Sequence, residues 1–352
     1  MNSELKNKII NLKRWLTLKE INYIEDQDLK KKSWLKCGGI AKLFIEPDNI
    51  EKAEILGKYL VEENIFYYPV GNLSNTLIRD GEIYSPIINL RKIVNPIIQL
   101  NNDDSEMISV QVSSGLTIFK FVMYVVNNLK ISGLEGMIGI PGTIGGAMIT
   151  NASSYDSCIS DYLDKVKYVN KKGEIISIFK DDVNFGWRSS IFQKMDNFLI
   201  TEVFFNFPKK NIKDNHEIQK RINYVKNHRE MYQEKKLPNL GSLYATKNLY
   251  SDLSKLSIPL LVLYLMYISG TKFIYLFLHH KNLLRFRKFI VKLYCLYFKI
   301  YKKNFSMSDR TINCLVNMGS DNANEAISII QILEKKIKGR IRLENIIVRD
   351  LE

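Results

Sequence analysis

Apolar residues recur at helical spacing through residues 3 to 26, which predicts an amphipathic N-terminal helix. From Lys36 to Leu90 the pattern changes to short apolar runs that read as strands, interrupted by one helical segment from Ile50 to Asn64. Met107 to Val112 alternates like a strand, and Thr117 to Leu129 reads as an amphipathic helix. Short strands return between Lys165 and Phe207, beginning with the period-2 run Lys165 to Val169 and closing on FLITEVFFNF. This mixed order predicts an α+β protein.

Between the helix at 117–129 and the later strands lies GLEGMIGIPGTIGGA, Gly133 to Ala147, with six glycines and one proline in fifteen residues. Glycine at that density lets backbone N–H groups press against a phosphate-rich ligand, although glycines also serve tight turns. The loop ends near Asn151, whose side chain can bond either ligand or backbone.

The string GIPGTIGGA resembles the flavin-binding signature of UDP-N-acetylenolpyruvoylglucosamine reductase, and further segments match that family in order. KSWLKCGGIAKLFIEP, around Gly38, is similar to its opening strand and Gly-Gly turn. YPVGNLSNTLIRDG, from Tyr68, is similar to its strand and pyrophosphate turn, with Leu73 standing where the family has a second glycine. A Cβ at such a position, whether at close approach or at positive φ, costs about 1 kcal/mol or more. FGWRSSIF from Phe185, the run from Arg229 to Ser242, and Ser308 to Ile337 complete the set, which covers residues 30 to 245 and 306 to 349.

The resemblance implies the FAD-binding fold of the vanillyl-alcohol oxidase and p-cresol methylhydroxylase type in two subdomains, followed by a substrate domain. The expected division is an N-terminal helical segment over 1–30, an FAD-binding domain over 31–210 and a substrate-type domain over 211–352 with an insert at 253–305. FAD is expected to bind non-covalently, held by Gly71, Asn72, Ser74 and Asn75 and by Gly139, Ile140, Pro141, Gly142, Thr143, Gly145, Gly146, Ala147 and Asn151. NADPH is implied as co-substrate, and a nucleotide-sugar enolpyruvyl ether or related sugar of cell-envelope polysaccharide synthesis as substrate.

The family's chemistry uses an arginine, a serine and a glutamate. Arg188 matches the arginine, and its permanently charged fork suits a carboxylate-bearing substrate; read alone it is equally a structural ion pair. Ser242 matches the proton donor, although a Gly-Ser pair by itself signals only a turn. The glutamate is missing: the register Leu343-Glu344-Asn345-Ile346-Ile347 puts Ile346 in its place. Glu344, two residues earlier and so about 7 Å along the same face of a strand, is the substitute, or else an ordinary salt-bridged residue.

Charge changes the picture in one region. From Leu253 to Ser308 there is no Asp or Glu but ten Lys or Arg, so that without them the net charge of +14 would be +4. Ile258 to Leu278 is apolar apart from Lys272 and is expected to break at Ser269-Gly270, while Leu283 to Tyr301 interleaves aromatics and cations. A membrane span, a basic amphipathic helix pair on an anionic membrane face, and a hairpin packed on the protein's own core all suit this pattern. No nucleic-acid motif accompanies it, so no nucleic-acid partner is expected. Four cysteines, Cys37, Cys158, Cys295 and Cys314, lack metal-ligand spacing and read as reduced core residues, and no metal is expected. The N-terminal stretch lacks a signal-peptide apolar core, which suits a cytoplasmic protein with possible peripheral contact with the membrane's inner face. Two functions follow as expectations: an FAD-dependent reductase, or a catalytically degenerate flavin scaffold that docks on a membrane or an envelope-synthesis partner.

Overall fold

The computed structural model describes residues 3–94, 96–100, 106–277, 280–300 and 304–348. Helix α1 (Ser3–Leu18) stops short of the length expected from its periodicity. Glu20 takes φ +52, and Tyr23–Asp28 then forms a strand antiparallel to Ile40–Ile45, with Tyr23 opposite Ile45. Residues 19 to 26 therefore leave the helix because pairing with a buried strand outweighs a weak local preference. Ile40–Ile45 runs parallel to Ile87–Asn89, which runs parallel to Tyr68–Val70, giving a small mixed sheet.

Helix α2 (Ile50–Glu62) begins where the Asn49 side chain accepts a hydrogen bond from the Lys52 N–H, satisfying one of the orphan donors of its first turn. It buries Ala53, Leu56 and Leu60. Leu12 and Leu16 of α1 join the same core, and Trp15 stacks on Tyr59 with ring centroids 4.2 Å apart, so the N-terminal helix packs into this subdomain.

The second subdomain is a five-stranded antiparallel sheet in the order Ile175–Phe179, Leu163–Val169, Leu199–Pro208, Met107–Ser113 and Ile97–Leu100. Helices α3 (Ile118–Asn127) and α4 (Ile144–Thr150) bury Phe121, Val125, Ile144 and Met148 in its core together with Phe205 and Phe207. The two subdomains meet closely at Gly57 of α2, where an added Cβ would stand 3.0 Å from a Val169 methyl.

Helix α5 (Asn215–Tyr232) packs Ile218 and Ile222 into the core of the second subdomain, and the third part contains α6 (Leu249–Ser254), α7 (Ile258–Phe277), α8 (His280–Phe298), the hairpin of Phe305–Ser308 with Thr311–Asn317, and α9 (Ala323–Ile337). One core joins Leu243, Tyr294, Phe298, Phe305, Leu315 and Ile330. After α9 the chain returns to the first subdomain, where Ile346–Val348 pairs in parallel with Thr76–Ile78.

The expected break at Ser269-Gly270 does not occur, and α7 runs unbroken through both residues. The Ser269 hydroxyl donates to the Leu265 carbonyl at 2.8 Å, one turn back. A Cβ on Gly270 would stand 2.2 Å from the Phe286 ring, so glycine there is a close-packing residue between α7 and α8. Helix α7 is long and apolar enough to cross a membrane by length and composition, yet it buries only Leu260 and Ile274. Cys37, Cys295 and Cys314 are buried thiols, while the half-buried Cys158 donates to Asn151 Oδ1 at 3.1 Å.

Candidate functional site

The three parts enclose a cleft of about 1470 Å³, lined by the turn from Val70 to Thr76, the loop from Ile138 to Thr143, the segment from Gln233 to Ser242, and Arg188, Glu344 and Ile346. That exceeds the roughly 300–1,000 Å³ of a drug-sized ligand pocket and leaves room for a dinucleotide beside a substrate. Its charged lining is predominantly basic: eight Lys and Arg, among them Lys226, Lys235 and Lys247, against three glutamates, a balance that suits phosphate-bearing ligands.

Two glycine-containing turns are latched together at the cleft floor. A Cβ on Gly71 would fall 2.3 Å from Thr143 Oγ1, so only glycine lets these turns approach so closely. The Asn72 amide donates to the Pro141 carbonyl at 2.6 Å and accepts from Arg91 at 2.7 Å, while Asn89 donates to the Gly71 carbonyl at 2.7 Å. Thr143 caps α4 by accepting from the Gly146 N–H. Gly139 takes φ +90 against the Arg229 side chain, and Gly146 has only the Thr143 hydroxyl near its missing Cβ, at 3.5 Å. This bare backbone cradle fits a pyrophosphate-bearing cofactor such as FAD.

Other residues of the two turns are committed to the protein itself. Leu73 takes φ +50, yet its side chain is only 3% exposed and packs with Phe44, Ile78 and Ile83, so its Cβ points into the core. Asn75 serves the C-terminal segment: its amide donates to the Glu344 carbonyl at 3.0 Å, its carbonyl accepts from the Ile346 N–H at 3.0 Å, and its Oδ1 accepts from Asn345. Gly145 lies against Ser114, with 3.0 Å from its would-be Cβ to Ser114 Cβ, and Asn151 donates to the Gly186 carbonyl at 3.0 Å; neither lines the cleft. Asn151 is the left-handed cap of α4, and its amide is spent on backbone where the sequence left ligand and backbone both open. Ser74, Asn75, Ile140, Pro141, Gly142 and Ala147 do line it.

Arg188, Ser242 and Glu344 all line this cleft. Arg188 Nη1 stands 3.8 Å from Glu344 Oε1, and both side chains are largely covered. Arg188 takes φ +53, a left-handed conformation unusual for a side-chain-bearing residue and held here by its surroundings. The holding group is Arg342, whose guanidinium donates to the carbonyls of Trp187 at 2.8 Å and Arg188 at 2.7 Å. Burial pushes the Glu344 carboxyl above the usual carboxylate range, and the charges of Arg188 and Arg342 draw it only part of the way back.

Ser242 follows Gly241, which takes φ +71 in a turn closed by the Asn239 side chain accepting from the Gly241 N–H at 2.9 Å. The Ser242 segment is tied to Glu344 through the Glu344 N–H, which donates to the Leu243 carbonyl at 2.7 Å. Asn345 donates both to Asn75 and to the Ser242 carbonyl, joining the cofactor turn to the candidate proton donor. Ile346 is 43% exposed and opens onto the cleft as a hydrocarbon.

Sequence reasoning missed Arg342 and Asn345, and saw Arg229 only as the first residue of a motif. Arg229 is 6% exposed, donates to the Gly136 carbonyl at 3.1 Å and the Ser154 hydroxyl at 2.7 Å, and lies over the Tyr155 ring. A buried arginine bonded to a glycine-loop carbonyl fixes that loop. Across the cleft Tyr250 and Tyr267 stack at 4.4 Å, so α7 contributes to the wall.

A family model described as an FAD binding domain matches residues 41–178. UDP-N-acetylenolpyruvoylglucosamine reductase of Shouchella clausii (strain KSM-K16) is 30% identical over 230 residues, which is 65% of this chain and 70% of that protein. The enzyme of the same name from Staphylococcus carnosus (strain TM300) is 31% identical over 219 residues, 62% of this chain and 67% of its own. The crystal structure of UDP-N-acetylenolpyruvylglucosamine reductase from Thermus caldophilus shares the fold at a TM-score of 0.63 and 18% identity, covering 94% of this chain and 99% of that one. The α+β fold with its FAD-binding domain is thus as expected from the sequence, and the chain is an FAD-dependent oxidoreductase belonging to the UDP-N-acetylenolpyruvoylglucosamine reductase family.

Proposed function

We propose that this chain is an NADPH-driven reductase of a nucleotide-sugar enolpyruvyl ether, acting in cell-wall precursor synthesis on the cytoplasmic side. The observation that carries the reading is the meeting of Arg188, Glu344 and the Ser242 segment in the cleft that the glycine cradle also lines. FAD held between the turns at Gly71 and Gly139–Thr143 would supply hydride transfer from NADPH to the β-carbon of the enol ether.

The protein's own groups do the rest. Arg188 pairs with the substrate carboxylate and stabilises the negative charge that builds on it as the double bond is reduced. Ser242 donates a proton to the α-carbon. Glu344, whose covered carboxyl holds its proton above the usual range, replenishes that proton in place of the family's glutamate. The basic lining holds the diphosphate, and Arg342 fixes the Arg188 backbone. The degenerate-scaffold reading is not favoured, because the ionisable groups the chemistry needs converge in one cleft. The substrate side is supplied from Gln233 onward, where the expected division near residue 210 gives way to α5, which packs Ile218 and Ile222 with the second subdomain.

The test is an anaerobic titration of FAD-reconstituted protein. Bleaching by NADPH, followed by recovery of flavin absorbance on adding UDP-N-acetylglucosamine enolpyruvate, is expected. Flavin that bleaches but does not recover with that substrate would exclude it, and protein that retains no flavin would overturn the reading as a whole.

A further inference from the structure

Helix α7 turns a broad apolar face to solvent. Leu261, Val262, Leu265, Met266, Phe273 and Leu276 are each at least 41% exposed, an apolar patch that soluble monomers rarely leave bare. Its other face is committed to the protein, because Leu260 and Ile274 are buried and Tyr267 stacks on Tyr250 in the cleft wall. On α8, Lys288 pairs with Asp309 at 2.7 Å, but Arg285 and Lys292, and Lys299 just past the helix end, are exposed with no acidic partner among the described residues. No acidic residue occurs anywhere from Leu253 to Ser308.

We propose that the α7–α8 hairpin seats this enzyme on an anionic lipid surface, with α7 lying in the interface plane, its bare face against acyl chains and the hairpin cations at lipid phosphates. Charge selects this occupant. A second copy would set the exposed Lys272, Arg285, Lys292 and Lys299 of one hairpin against the same four of another, whereas an anionic bilayer offers apolar depth and negative headgroups together. Lys272, exposed within the apolar face, reaches headgroups from a helix lying flat but would be stranded inside a span. Crossing the bilayer would also strip Leu260, Tyr267 and Ile274 from the packing that holds them. Tyr267 lines the cleft on one face of the helix whose other face meets lipid, so docking and substrate site share one element.

The test is flotation of the purified full chain with vesicles of phosphatidylcholine alone and of phosphatidylcholine mixed with phosphatidylglycerol. Binding to the mixed vesicles only, falling as salt shortens the Debye length from about 10 Å at 0.1 M to about 3 Å at 1 M, is expected. Replacing Arg285, Lys292 and Lys299 by Gln is expected to weaken it about a hundredfold, the combined worth of three near-surface cations. Leu265→Ser with Phe273→Ser is expected to abolish it while flavin content and melting temperature stay as in the natural chain, which shows that the variant is folded. Equal binding to neutral vesicles, or no binding, overturns the proposal. So does vesicle-bound protein that resists high salt and alkaline carbonate, which marks a span, and so does self-association abolished by Leu265→Ser without vesicle binding, which marks a second copy.

Discussion

Glu344 stands 3.8 Å from Arg188, and Ile346, which the sequence resemblance sets against the family's glutamate, lies two residues further along. The raised pKa of Glu344 gives this a pH signature. If Glu344 supplies a proton, turnover falls as pH rises through that raised pKa, and Glu344→Gln removes this limb while lowering the rate about 10²–10⁴-fold. Ile346→Glu is expected to change the rate by less than about tenfold, because the role is already filled. A pH–rate profile on the three proteins decides it, and a large gain from Ile346→Glu alone would refute the assignment. The linked stability effect has a fixed sign: the folded protein holds this proton more tightly, so the contribution is present below the ordinary carboxylate range and is lost as pH rises through the raised value.

Ser242→Ala separates the two halves of the reaction. Proton donation to substrate belongs only to the second, so stopped-flow bleaching by NADPH is expected to be unchanged and substrate-driven recovery slowed about 10²–10⁴-fold. Equal slowing of both would mean that Ser242 shapes the cleft and delivers no proton.

Gly71→Ala is expected to loosen the cofactor. The new methyl would stand 2.3 Å from Thr143 Oγ1, so the latched turns must separate. Flavin affinity, measured by fluorescence titration, is expected to fall at least about tenfold, corresponding to roughly 1.4 kcal/mol. Pairing it with Thr143→Ala, which removes the clashing hydroxyl, is expected to restore part of the loss.

Leu73→Gly tests two opposed effects. Relief of φ +50 is worth about 1 kcal/mol, but removal of a buried leucine costs about 2–5 kcal/mol. Lost packing outweighs the relieved strain, so thermal melting is expected to show a less stable protein.

The reading of the sequence went furthest where chemistry is local. The glycine-rich loop at Gly139 to Gly142, and the presence of Arg188 and Ser242 in the same cleft, were legible because residue type and spacing carry them. What stayed hidden depends on distant contacts. Arg342 holds a turn 154 residues away, and Asn345 reaches Asn75 across 270 residues, pairings that no window on the chain displays. The end of α1 at Leu18 was equally invisible, since strand pairing with Ile40–Ile45 decided it. The charge census marked the insert, but only the structure shows which face of α7 is spoken for.

The parallel pairing of Ile346–Val348 with Thr76–Ile78 has a kinetic meaning. Contacts between segments so far apart require closure of a very long loop, and loop-closure entropy makes such contacts late events in folding. The glycine cradle can be assembled by the first two subdomains, whereas the placement of Glu344 beside Arg188 awaits this strand. A population of chains that hold flavin yet do not turn over is therefore the expected transient of refolding, and the lag between flavin capture and first activity measures how long the final strand takes to dock.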